Sequence, residues 1–379
     1  MEEIYKDRAW IEIDMQNLQN NIEQIKKLIS KDCKIMAVVK ANAYGHGMIN
    51  VAKKLSKIGI EDFAVATLSE AIELRKHDIR GNILILGYTN IEDIKYVQKY
   101  DLIQTIVDYD YAKKLNEKVN EIVNNGKIKT HIKLNTGMNR IGENCKDIGK
   151  IISIFKLNNI DILGMYTHLS SADSLKVADI DFTNKQINNF FDCVKEIKRL
   201  GYNPGKLHIQ SSYGILNYSE IKCDYVRPGI IMYGIYCTKE HNAKIEPNLK
   251  PVLELKARIT SVKYIDKDEA VSYGRTYIAK EKMKIATVSI GYADGYPRNL
   301  SGKNAKVYVN GKYATIIGRV CMDQLMIDVS AINDIKEGDV VTLIGAQTEI
   351  SAEEIATQAD TITDELLCRL GQRLPRIEK

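Results

Sequence analysis

Up to about residue 240 the apolar positions alternate between two periods. Leu18, Ile22, Ile25 and Ile29 fall three or four apart, as on one helix face, and Asp14 stands where an N-cap belongs. The apolar run 34–39 follows and closes on Lys40. Val51, Leu55 and Ile58 mark another helix. The run 63–66 reads as a strand, and Ser69 is the expected cap of the helix after it. Strands follow at 83–86, ending at Gly87, and at 102–107. Ala112, Leu115, Val119 and Ile122 form a helical stripe that ends near Gly126. Further strands fall at 128–134, 160–166 and 207–209. Between the last two, Ile187, Phe190, Val194 and Ile197 form a helix that Gly201 stops. A final short strand lies at Tyr225 or at 230–232. Buried strands alternating with helices predict a parallel sheet. About eight such steps predict an α/β fold closed into a (β/α)8 TIM barrel.

After about Lys244 the period changes to two: Leu253, Leu255, Ala257 and Ile259 alternate with polar residues. Val307-Tyr308-Val309 and Tyr313-Ala314-Thr315 flank Asn310-Gly311, a two-residue hairpin signal. The run 340–344 is another strand. The expected organisation is a barrel over 1–244 and a mostly β domain over 245–379. The boundary, from His241 to Pro251, carries two of the six prolines.

Composition adds exclusions. With 45% hydrophobic and 27% charged residues the chain is an ordinary globular sequence. A net charge of +5 is small for 379 residues, and no dense Lys/Arg stripe carries interleaved aromatics, so nucleic acid is not an expected partner. The seven cysteines are widely spaced, odd in number and never in a Cys-x-x-Cys pair. That suits reduced thiols, with neither a disulfide framework nor a metal site. No apolar run is long enough for a bilayer. Met1-Glu2-Glu3 opens without a basic-then-apolar leader. The expected location is the cytoplasm, away from membranes.

In a (β/α) barrel, chemistry gathers at the C-terminal ends of the strands. Lys40 and Tyr44 follow the first strand. Lys133, Asn135 and Arg140 follow or close the run 128–134, and His168 follows 160–166. Ser211-Ser212 follow 207–209, and Arg227-Pro228-Gly229 sit at the last strand. A lysine at the mouth of a buried strand is partly desolvated, and a neutral amine attacks carbonyls. The plain alternative is a lysine reaching to solvent. The others have plain readings too: His168 as a structural histidine, Arg227 as a partner of carbonyls, Ser211-Ser212 as a turn. Lys, Arg, His and Tyr concentrated at the exits of one face point to a shared site. Outside the barrel, Gly291-Tyr292-Ala293-Asp294-Gly295-Tyr296-Pro297-Arg298 is dense in aromatics and glycine, as in an interface or a substrate entrance. By themselves, Tyr273 is a surface tyrosine and Cys321-Met322-Asp323 a strand fragment with a thiol.

Taken together these segments resemble the alanine racemase family of pyridoxal-phosphate enzymes. The most specific matches are Ala37-Val38-Val39-Lys40-Ala41-Asn42-Ala43-Tyr44-Gly45-His46-Gly47 and the run 291–298. The runs 133–142, 166–169, 227–230, 271–274 and 318–323 match as well, in the family's order, so the resemblance covers nearly the whole chain.

The resemblance implies a barrel followed by a β domain, in a head-to-tail homodimer where the β domain of one subunit completes the active site of the other. It implies racemisation of alanine, supplying D-alanine for peptidoglycan. Lys40 would hold pyridoxal 5'-phosphate and act as one base, with Tyr273 from the partner subunit as the opposed base. Arg227 would face the pyridine nitrogen, and His168 would bond to Tyr273 and Arg227. Tyr44, Ser211, Gly229 and Ile230 match phosphate-binding positions. Arg140 and the backbone of Met322 match contacts to the substrate carboxylate. Lys133 matches a lysine often carbamylated in the family. Tyr292, Arg298, Arg319, Asp173 and Gln372 match the substrate entrance. One departure stands near the end: Gln372 occupies a place where many members carry tyrosine, and a smaller, more polar residue there raises serine as an alternative substrate. The runs 8–13 and 369–376 also resemble the serine/alanine racemase domain linked to vancomycin resistance. Cys321 leaves open a decarboxylase of similar architecture.

Overall fold

A computed structural model of the chain describes residues 7–122, 126–240 and 242–379. Met1-Glu2-Glu3, the side chain of Ile122 and His241 at the expected boundary lie outside what is described. Eight parallel strands pair in chain order: Lys34–Val38, Asp62–Val65, Asn82–Ile85, Ile103–Ile106, Ile128–Asn135, Ile160–Tyr166, Lys206–His208 and Tyr225–Val226. Tyr225 pairs back onto Lys34. Between the last two strands, Asp224 N–H donates to Leu207 O (2.9 Å) and Arg227 N–H to Gln210 O (2.9 Å), which closes the barrel. The eighth strand is the Tyr225 alternative. Segment 230–232 lies instead in a 3-10 turn, Ile230–Tyr233, because Pro228 has no N–H to continue a ladder.

The barrel interior is lined by Met36, Val38, Ala64, Leu84, Ile103, Tyr166 and Tyr225, one packed cluster. The helical stripes face the larger core outside the strands, where Leu18, Ile22 and Ile25 are fully buried. Asp14 caps the helix Met15–Leu28 as expected, accepting from the N–H groups of Gln16 and Asn17. The cap of Leu68–Lys76 is Thr67, not Ser69. Thr67 stands three residues before Glu70, and the two close a capping box.

The second sheet has eight strands built on the long strand Leu253–Ile265. The expected hairpin is there: Val309 pairs with Lys312, and Asn310 and Gly311 both have positive φ, 46° and 80°. Ala9–Ile13, from the start of the chain, belongs to this sheet. It runs antiparallel to Leu253–Ile265 and parallel to Arg376–Glu378. Among the described residues no helix is long and apolar enough to cross a membrane.

Candidate active site

Lys40, Tyr44, Lys133, Arg140, His168, Ser211, Ser212, Arg227 and Gly229, all singled out at the strand exits, line one cavity of about 290 Å³ together with Ile230. Their strands all open on this face, so residues nearly 190 positions apart meet.

Lys40 is half-buried and starts an unusual turn. Ala41, Asn42, Ala43 and Tyr44 all adopt left-handed φ, between 52° and 54°. Each such residue costs roughly 1–2 kcal/mol in a chain of L-amino acids. Several bonds offset that cost. Glu70 accepts from Ala41 N–H (2.6 Å), Ala66 N–H (2.8 Å) and Thr67 N–H (3.2 Å), tying the turn to the next β–α unit. Asn42 Oδ1 accepts from Met48 N–H at 2.8 Å. His46 Nδ1 lies 2.9 Å from the carbonyls of both Ala43 and Tyr44 and donates to them. Gly45 is obligatory, since a Cβ there would sit 2.2 Å from Leu367 O.

Arg227 is buried and, among the described residues, pairs with no carboxylate. Its Nη1 donates to His208 Nδ1 (2.7 Å), and its Nη2 to Thr167 O (2.7 Å) and Ile209 O (3.3 Å). Its guanidinium carbon is 5.1 Å from the centre of the Tyr166 ring, a cation–π contact. Burial lowers its pKa to about 10, so it stays charged at neutral pH. The histidine bonded to Arg227 is therefore His208 and not His168. His168 lines the cavity half-buried. Burial first, then the nearby cations, keep it well below the usual histidine range, and so neutral.

Lys133 is buried and donates to Leu134 O (3.1 Å) and Thr167 Oγ1 (3.5 Å). Burial, then Arg227 and Arg140, bring its pKa down to about 7. Gly229 provides space: a Cβ there would lie 2.5 Å from Tyr44 Oη. Its N–H donates to Ser212 Oγ at 3.1 Å.

The second group of predicted residues does not line this cavity. Tyr273 is 72% exposed, Met322 54% and Tyr292 41%, and Gln372 and Asp173 are also exposed. Yet most of the group are knitted together. Ser272 Oγ donates to Arg319 O at 2.8 Å and meets Cys321 Sγ at 3.4 Å. Tyr292 N–H donates to Cys321 O, Ala293 N–H to Met322 O, and Gly371 N–H to Asp294 O. Ser301, after the Arg298–Leu300 turn, accepts from Val320 N–H. At the centre Asp294, fully buried, takes both Arg8 nitrogens, and Arg373 bridges it to Asp323. Tyr273, Tyr292 and Met322 thus stand on one rigid face of the second domain.

This two-part arrangement agrees with what the chain is similar to. Residues 13–237 match the profile of the alanine racemase N-terminal domain, and 252–378 that of the alanine racemase C-terminal domain. The chain belongs to the alanine racemase family. An amino-acid racemase of Enterococcus faecalis is 41% identical over 98% of this chain, which spans only 52% of that relative. The chain is thus about half the length of the first curated relatives it matches. An alanine racemase of Clostridium perfringens is 41% identical and is matched over 95% of its own length. The solved alanine racemase of Clostridium difficile 630 superposes with a TM-score of 0.93 at 36% identity, covering 99% of this chain and 97% of that one.

The residues that hold this cavity in shape escaped the sequence reading: Glu70, His131 and His208. Two left a signal. Glu70 completes a Thr-x-x-Glu capping box. His131 lies two positions before Lys133, on the same face of its strand.

Proposed function

We propose that the chain is a pyridoxal-phosphate-dependent racemase that interconverts L- and D-alanine, as a homodimer with shared sites. The observation that carries this reading is the division of the site: Lys40 and Arg227 line one cavity, while Tyr273 is 72% exposed on the other domain. Racemisation needs two opposed groups, one to remove the α-proton and one to return it from the other side.

The cavity suits an anionic cofactor. Lys40, Lys133, Arg140 and Arg227 line it against one carboxylate, Asp364, which already accepts from Cys237 Sγ at 2.7 Å. Tyr44 and Ser211 supply hydroxyls beside the gap at Gly229. Ser212, whose oxygen accepts from Gly229 N–H, keeps its own O–H to donate. Bound pyridoxal phosphate supplies the conjugated ring that spreads the charge left when the α-proton departs. Lys40 moves the proton on one face of the substrate, and the partner subunit's Tyr273 moves it on the other. Arg227 would face the ring nitrogen, and as a guanidinium that stays charged it would give up no proton at neutral pH. Arg140 and the partner subunit's Met322 receive the substrate carboxylate.

Alanine is preferred to serine because relatives matched almost end to end bear the alanine racemase name. D-alanine made this way serves peptidoglycan, and the unpaired cysteines suit the cytoplasm. The test is an absorbance spectrum with a racemisation assay on L-alanine and L-serine. Lys40→Ala is expected to lose the cofactor's visible band and racemase activity together. Full activity in that variant, or carbon dioxide release in place of α-proton exchange, overturns the reading.

A further inference from the structure

Beneath the cavity, Arg227 begins a buried chain of hydrogen bonds. Its Nη1 donates to His208 Nδ1 at 2.7 Å, and His208 Nε2 lies 2.8 Å from His131 Nδ1. Arg227, His208 and His131 are all buried, at 3%, 0% and 3% exposure. A guanidinium has only donors, so the nitrogen it meets must be bare. His208 is therefore neutral, with its proton on Nε2. That proton points at His131 Nδ1, which must in turn be bare. The chain runs one way, from Arg227 through His208 to His131. Packing keeps the rings from turning out of line. Tyr166 stacks on His208 with centroids 4.8 Å apart and planes at 5°, and Tyr225 meets it edge-on at 6.0 Å. Gly164 leaves the room that His131 fills: a Cβ there would lie 2.8 Å from its Cε1.

We propose that His131 is a positioning residue for the reaction: by accepting from His208 Nε2–H, it anchors the far side of the ring that receives Arg227, and so fixes the guanidinium at the cavity wall. Without an acceptor at 131, the buried Nε2–H of His208 has no partner. Arg227 still requires a bare Nδ1, so the tautomer is kept, but the ring loses its second anchor and the guanidinium bonded to it is held less firmly. Leucine at 131 removes the acceptor. Asparagine restores it, because its Oδ1 falls near the position of His131 Nδ1.

The link to catalysis rests on the racemase reading, but the hydrogen-bond chain does not. The first measurement is the histidine 1H–15N spectrum of the full-length chain without cofactor. His208 is expected as Nε2–H throughout, with its Nε2–H proton shifted downfield by a hydrogen bond in the native chain and in His131→Asn, and shifted back upfield in His131→Leu. A native His208 that is charged or Nδ1–H overturns the proposal without recourse to any variant. So does a hydrogen-bonded Nε2–H shift that persists in a folded His131→Leu. The second measurement is kinetic: His131→Leu is expected to lower kcat about tenfold with little change in KM, and His131→Asn to recover most of it. If the shifts behave as stated and no racemisation occurs in any variant, the functional reading fails and the hydrogen-bond chain stands. If the shifts behave as stated and His131→Leu retains full kcat, the positioning role is overturned.

Discussion

Two lysines share the cavity, and their surroundings give them different chemistry. Lys40 stands half-buried at the mouth, on a turn that fixes where its amine points. Lys133 is buried, and burial with two nearby arginines brings its pKa down to about 7. Above that pH its amine is neutral, can attack the carbon of carbon dioxide, and loses a proton to become a carbamate. The carbamate is an anion able to orient Arg140, which an ammonium would repel. With 13C-bicarbonate, a carbamate signal is therefore expected at about pH 8 and should be lost by about pH 6. A signal unchanged across that range, or absent throughout it, refutes this role. The lysines themselves were legible from their strand ends. Which of them is desolvated was not, because burial depends on Tyr166, Arg227 and Thr167 arriving from other strands.

At the scale of elements, regular patterns translated well and irregular ones did not. Asp14 caps its helix and Asn310-Gly311 turns its hairpin, since both effects act within four residues. The left-handed run Ala41–Tyr44 left no local sign, because Ala and Tyr do not favour positive φ. Glu70, from the helix Leu68–Lys76, supports it by accepting from Ala41 N–H while also holding the N–H groups of Ala66 and Thr67. Glu70→Gln keeps the shape but turns one acceptor oxygen into a donor amide. The expected cost is about 1–3 kcal/mol, read as a lower thermal midpoint and easier loss of cofactor. An unchanged midpoint with full cofactor retention would show that the turn is held by other means.

At the scale of the whole molecule, the Lys40 cavity and the exposed Tyr273 lie in different parts of the chain, and the proposed racemase would join them as two half-sites across a dimer. The face built around Asp294 presents Tyr273, Tyr292 and Met322 outward, while the Lys40 cavity opens in the barrel. If two subunits exchange these faces, Lys40→Ala and Tyr273→Phe chains, each inactive alone, complement each other when mixed. Half the dimers formed at random are mixed and each has one intact site, so about a quarter of native activity is expected. No recovery after subunit exchange, checked by labelled chains, sinks the shared-site arrangement. The sequence alone determined the alternation of strands and helices, the later β domain and the motifs at strand exits. These signals are written in local periods and in residue types that the chemistry itself demands. Only the tertiary structure decided that His208, and not His168, takes the bond from Arg227, that Ala9–Ile13 joins the second sheet, and that Asp294 ties three loops into one face. Each depends on pairings between segments far apart in the chain, and which distant partner a buried donor finds is settled by packing.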